Sequence, residues 1–238
     1  MTTFNDLEIK IFADGANLDQ IPKINKLNYI KGYTTNPSLM KNAGVTDYKE
    51  FAFKFMDLVG DAPVSFEVFA DDVENMERQA IEISSWSKNI IIKIPITNSK
   101  GVSTKYLIKK LTDKNIACNI TAIFTLKQIL NILDFINKDT YCILSIFAGR
   151  IADTGIDPMP IFKDVKKIVE SFNNIELLWA SPRELLNIFQ AEKSGCHIIT
   201  AASDILNKIK LIDKNLDDYS LETVQMFYND SLKAGYKL

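Results

Sequence analysis

Ile90-Ile-Ile-Lys-Ile-Pro-Ile96 is the stretch on which the fold turns. It is β-branched, almost continuously apolar and too short for a helix, so it reads as a strand buried on both faces of a parallel sheet. Similar runs precede it at Ile9–Asp14, Gly32–Asn36 and Val64–Ala70. Others follow at Ile116–Phe124, Tyr141–Ala148, Ile175–Ser181 and His197–Ala202. Between them lie segments with helical spacing: Tyr48–Leu58, Val73–Trp86, Thr104–Leu111, Leu126–Ile136, Ile161–Phe172 and Glu184–Ala191. Thr125-Leu-Lys-Gln128 and Ser181-Pro-Arg-Glu184 read as capping boxes, the second with Pro at the first helical position. Strict βα alternation predicts an α/β fold, a parallel sheet with helices on its faces. Eight strands without a Gly-rich nucleotide fingerprint favour a single (β/α)8 TIM barrel over an open sheet, with residues 1–238 as one domain. An extra C-terminal helix is expected over Ser220–Ala234, within a terminal segment 220–238. Its stripe of Leu221, Val224, Phe227, Tyr228 and Leu232 suits packing either on a neighbouring subunit of a homo-oligomer or on the base of its own barrel.

Composition narrows the function. At 238 residues the chain can bury most of its apolar surface without a disulfide or metal. Hydrophobic residues at 47% and charged residues at 24% exclude a disordered chain. A net charge of −2 removes the electrostatic footprint of a nucleic-acid binder. Cys118, Cys142 and Cys196 are odd in number and lack CxxC spacing, which points to buried thiols in a reducing compartment. A zinc site is not expected, because His197 is the single histidine. No apolar run approaches a membrane span, and the polar start Met1-Thr-Thr-Phe-Asn-Asp6 lacks a signal-peptide core. The expectation is a cytoplasmic protein with neither nucleic acid nor membrane as partner. Asp153-Thr-Gly155 resembles half of an aspartic-protease site and Asn119-Ile-Thr121 a glycosylation sequon, but each lacks the context that would give it meaning.

The informative residues are polar ones at the carboxyl ends of the strands, where a barrel gathers its active site. Lys93 interrupts the isoleucines of the fourth strand and Glu67 the third. Asp14 closes the first strand and Asn36 the second. Asn119 and Thr121 share a face of the fifth, Ser145 and Phe147 a face of the sixth. Arg150 lies just beyond, and Ser181 and Arg183 follow the seventh. Singly, each has an ordinary structural explanation: a cap, a turn, a surface ion pair. Seven consecutive strands ending in convergent polar groups make a site. Taking a lysine out of water penalises its ammonium form, and a neutral amine attacks a carbonyl to form a Schiff base. Asp14 and Glu67 supply a base and a proton shuttle for cleaving the neighbouring carbon–carbon bond. Arg150, Arg183 and a helix starting after Ser181 suit a phosphate. The residues thus read as Schiff-base aldol chemistry on a phosphorylated sugar.

In order along the chain, Phe12-Ala-Asp-Gly-Ala-Asn-Leu18, Thr34-Thr-Asn-Pro-Ser-Leu39, Ile92-Lys-Ile-Pro-Ile-Thr97, Asn119-Ile-Thr121, Ser145-Ile-Phe-Ala-Gly-Arg150 and Ala180-Ser-Pro-Arg183 resemble the transaldolase family. The match runs from about Ile9 to Ala202 and suits the short members, which include fructose-6-phosphate aldolases. The resemblance implies a class I aldolase-type barrel with Lys93 as the Schiff-base lysine and Asp14 as the base at the C4 hydroxyl. It implies that Glu67 and Thr121 hold a relay water and that Asn36, Asn119 and Ser145 bind the dihydroxyacetone hydroxyls. Arg150, Ser181 and Arg183 would hold the phosphate, with no metal or organic cofactor. In the lyase relatives a tyrosine stands at the position of Phe147 and a glutamine at that of Glu67, which favours a transaldolase here. The alternatives are a fructose-6-phosphate aldolase and a catalytically silent sugar-phosphate-binding barrel. Gly15 and Pro182 depart from the family's usual Thr or Ser and bulky apolar residue.

Overall fold

A computed structural model describes residues 4–238, so Met1, Thr2 and Thr3 of the polar start lie outside the described residues. Eight parallel strands close into a barrel in chain order: β1 Lys10–Asp14, β2 Ile30–Thr34, β3 Val64–Glu67, β4 Ile90–Pro95, β5 Cys118–Ile123, β6 Cys142–Ile146, β7 Ile175–Trp179 and β8 Ile198–Ala202. Each expected strand is present. Most end one to three residues earlier than the apolar run, because the ladder stops where the chain turns into the next loop.

The helices are α1 Ile21–Ile24, α2 Pro37–Asn42, α3 Tyr48–Val59, α4 Val73–Ser84, α5 Lys105–Asp113, α6 Leu126–Leu133, α7 Ala148–Ala152, α8 Met159–Val169, α9 Leu186–Lys193, α10 Ser203–Leu206 and α11 Leu216–Ala234. The long ones form as their spacing predicts. Thr125 and Gln128 complete the capping box of α6, which buries Ile129, Ile132 and Leu133. The Asp47 and Asp72 side chains cap α3 and α4. The chain divides into two compact units, the barrel ending at Leu206 and Asn207–Leu238. The second unit is dominated by α11, which starts four residues before Ser220 because Asn215 Oδ1 accepts from the Asp217 and Asp218 N–H groups.

Phe12, Ile91, Ile143, Leu178, Ala180 and Ile198 pack together as a buried cluster. Burying a side chain such as Phe12 contributes about 1.5–3 kcal/mol. Gly32 on β2 makes room for it, since a Cβ there would lie 2.6 Å from the Phe12 ring. A second close approach sits beyond the carboxyl ends of the strands. A Cβ on Gly149, in α7, would stand 1.6 Å from the Ser181 carbonyl oxygen, so only glycine lets α7 lie against the loop after β7.

Candidate active site

Parallel register builds the centre of the site. Glu67, Lys93 and Asn119 are successive partners across β3, β4 and β5. Lys93, a buried residue, places Nζ 3.2 Å from Glu67 Oε2 and donates to the Thr35 carbonyl at 3.0 Å. Burial of an ammonium is tolerable only with such partners. The lysine expected to be desolvated among isoleucines is held against a carboxylate. Tyr48 fixes the backbone beneath that carboxylate by donating its hydroxyl to the Glu67 carbonyl at 2.7 Å. On the far side, Asn119 Nδ2 donates to Ser65 Oγ at 3.0 Å and its Oδ1 accepts from Ser145 Oγ at 2.6 Å. A bulge between Ile120 and Ile123, with Ala122 at φ 59°, re-aims the end of β5. Thr121, just before it, is buried with its Oγ1 lacking any protein partner among the described residues.

Asp14 faces this row from the end of β1. Thr34 Oγ1 donates to its Oδ1 at 2.7 Å, and the Thr34 and Thr200 hydroxyls lie 2.5 Å apart. Burial pushes the Asp14 pKa up, opposed by the Lys93 charge and the Thr34 bond, so its carboxylate is a stronger base than an exposed one. Asn36 stands beyond the end of β2 instead of closing it. Its Oδ1 caps α2 through the Leu39 N–H at 2.9 Å.

Asp14, Asn36, Lys93, Thr121, Ser145, Phe147, Arg150 and Ser181 line one cavity of about 100 Å³, together with Thr34 and Thr200. Glu67 touches it through Lys93, and Asn119 through Ser145. A wider cavity of about 340 Å³ meets it at Asp14, but its lining holds no lysine or arginine. The smaller one holds the amine and is the candidate site.

Its open end is built differently from the sequence expectation. Ser181 does not cap a helix: its φ is 60°, the left-handed region, and α9 begins only at Leu186. Asn187 Oδ1 instead accepts from the Arg183 and Glu184 N–H groups at 2.7 and 3.1 Å, so no helix N-terminus starts at Ser181. Arg150 is exposed, its guanidinium carbon 5.5 Å from the centre of the Phe147 ring. Arg183 stands back from the cavity, paired with Asp153. Among the described residues no group of His, Cys, Asp and Glu is placed to hold a metal ion. Thr34, Thr200 and Ser65 are the participants that sequence reasoning missed. The available signal was a hydroxyl inside an otherwise apolar buried strand, as in Ile198-Ile-Thr-Ala-Ala202.

A sequence profile described as Transaldolase/Fructose-6-phosphate aldolase matches residues 11–237. A protein of Thermoanaerobacter sp. (strain X514) named "Probable transaldolase" is 36% identical over 97% of this chain and 100% of its own length. Another of that name, from Carboxydothermus hydrogenoformans, is 36% identical over 84% of this chain and 90% of its own. Among solved structures, CdNal from Clostridium difficile in complex with mannosamine superposes with a TM-score of 0.60. It covers 95% of this chain and 82% of that one at 14% identity, a likeness of fold alone.

Proposed function

The chain belongs to the transaldolase/fructose-6-phosphate aldolase family, and from that premise we propose that it is a transaldolase working through a Schiff base on Lys93. The donor is a ketose phosphate, fructose 6-phosphate or sedoheptulose 7-phosphate, and the acceptor an aldose phosphate. One observation carries the assignment: a buried lysine amine 3.2 Å from a carboxylate, in the same cavity as a second, more basic carboxylate.

The Lys93 ammonium gives up a proton, with Glu67 the adjacent acceptor, and Nζ attacks the C2 carbonyl. The carbinolamine loses water, whose departing oxygen is protonated through Glu67 and a relay water that the free Thr121 hydroxyl holds. Asp14 takes the C4 hydroxyl proton, the C3–C4 bond breaks, and the electron pair passes to the iminium to give an enamine. The first aldehyde leaves, and the enamine adds to the acceptor by the reverse steps. Asn36, Asn119 and Ser145 bind the three-carbon unit, with Ser65 fixing the Asn119 amide. The phosphate lies toward Arg150, Ser181 and Arg183. Phe147 places an aromatic face without a proton donor beside the enamine, which favours capture by an aldehyde over protonation.

We place residues 1–238 as one catalytic chain of carbohydrate metabolism, in the cytoplasm and the pentose phosphate pathway, acting as a homo-oligomer. The three buried free thiols suit the reducing cytoplasm, and the exposed apolar residues of α11 suit association. The test is borohydride reduction with fructose 6-phosphate, read by mass spectrometry. A reduced three-carbon or whole-sugar adduct is expected on the Lys93 peptide and is lost in Lys93→Ala. An adduct on another lysine, or none with any ketose phosphate, overturns the assignment.

A further inference from the structure

Asp153 is the C-cap residue of α7 and reaches across to the loop after β7. Its Oδ1 accepts from Arg183 Nε at 2.9 Å and its Oδ2 from Arg183 Nη2, a two-point fork. The remaining nitrogen, Nη1, donates to Ser181 Oγ at 3.1 Å. A hydroxyl whose lone pair is occupied in this way keeps its own proton for another partner, and Ser181 lines the cavity that holds Lys93. Three of the five guanidinium N–H groups are thus committed, leaving one on each terminal nitrogen. The backbone beneath is held independently, by the contact of Gly149 on the Ser181 carbonyl. Asp153 and Arg183 are each about half exposed, and an ion pair so placed adds little to stability. What the fork supplies is direction.

We propose that Asp153 is a positioning residue for the anionic end of the substrate. It sets the plane of the Arg183 guanidinium, so that the Ser181 hydroxyl proton and the free N–H groups of Arg183 meet a phosphoryl group beside Arg150. The proposal rests on the sugar-phosphate reading above.

Two measurements test it on the full chain: steady-state kinetics and calorimetric titration with inorganic phosphate. Asp153→Ala is expected to raise KM for fructose 6-phosphate and Kd for inorganic phosphate by about tenfold each, the loss of one charge-assisted contact. The kcat stays within about twofold, because the reacting atoms are untouched. Turnover of an uncharged pair, dihydroxyacetone and glyceraldehyde, is unchanged, and Asp153→Glu restores most of the phosphate affinity. Unaltered KM and Kd in Asp153→Ala, or equal losses with the uncharged pair, overturn the proposal. Failure of the parent reading shows separately, as a wild type that turns over no ketose phosphate. The titration then decides alone: weaker phosphate binding in the variant sustains the role of Asp153, and equal or absent binding in both ends it.

Discussion

On the proposed mechanism, Phe147 sets whether the enamine is held or quenched. Its ring lies 5.7 Å from that of Phe124 and under the Arg150 guanidinium, so the space above Lys93 is walled by carbon on that side. The ring itself offers the enamine no proton from that side, which favours an aldehyde acceptor. Fast transfer to erythrose 4-phosphate and slow release of dihydroxyacetone are therefore expected. Phe147→Tyr should raise release relative to transfer by roughly tenfold, a modest share of what a positioned proton donor supplies. The same assay run with and without acceptor checks this. Equal cleavage of fructose 6-phosphate by the wild type in both arms sinks the transferase reading and leaves the aldolase. At this scale the sequence was most informative where burial and polarity conflict. Lys93 was legible because isoleucine flanks it on both sides. Its partnership with Glu67 depends on register between two strands, which spacing along one strand cannot show.

Among the elements, the pairing of β7 with β8 is short, with only Leu178↔Ile198 and Trp179↔Ile199 in register. His197 extends it. Its N–H donates to the Leu177 carbonyl at 3.1 Å, and its Nδ1 accepts from the Leu177 N–H at 2.8 Å. Burial first, then the Lys166 charge, lowers the His197 pKa below its ordinary 6.5; Lys10 acts in the same sense and Glu176 against it. Below about pH 6.5 the unfolded chain binds a proton that the folded imidazole refuses, so stability is full above that pH and falls with acid. Urea midpoints between about pH 7.5 and 5.5 should drop more in the wild type than in His197→Gln, whose amide oxygen accepts without titrating. Parallel curves would remove His197 from the account. The eight strands were legible from β-branched runs and the longer barrel helices from periodicity. The short helices α1, α2, α7 and α10 were not, because four to six residues carry no period. The capping box at Ser181 failed for another reason. The pattern is local, while Ser181 is left-handed and its carbonyl lies against Gly149, far away in sequence.

For the molecule as a whole, α11 poses the question of what covers it. Leu221, Val224, Phe227, Tyr228 and Leu232 are each more than half exposed, a row of large apolar side chains that water solvates poorly. Association with further copies through this helix is expected. Light scattering at micromolar concentration should give a multiple of 26.9 kDa for the wild type. A chain ending at Ile212 should fall to the mass of one copy; a monomeric wild type refutes the association. The cluster around Phe12 has a consequence at the same scale. Leu178 and Ala180 belong both to it and to the cavity wall, so that wall is the face of the packed core itself. A substitution that reshapes the pocket there also opens or overfills the core, and selectivity and stability change together.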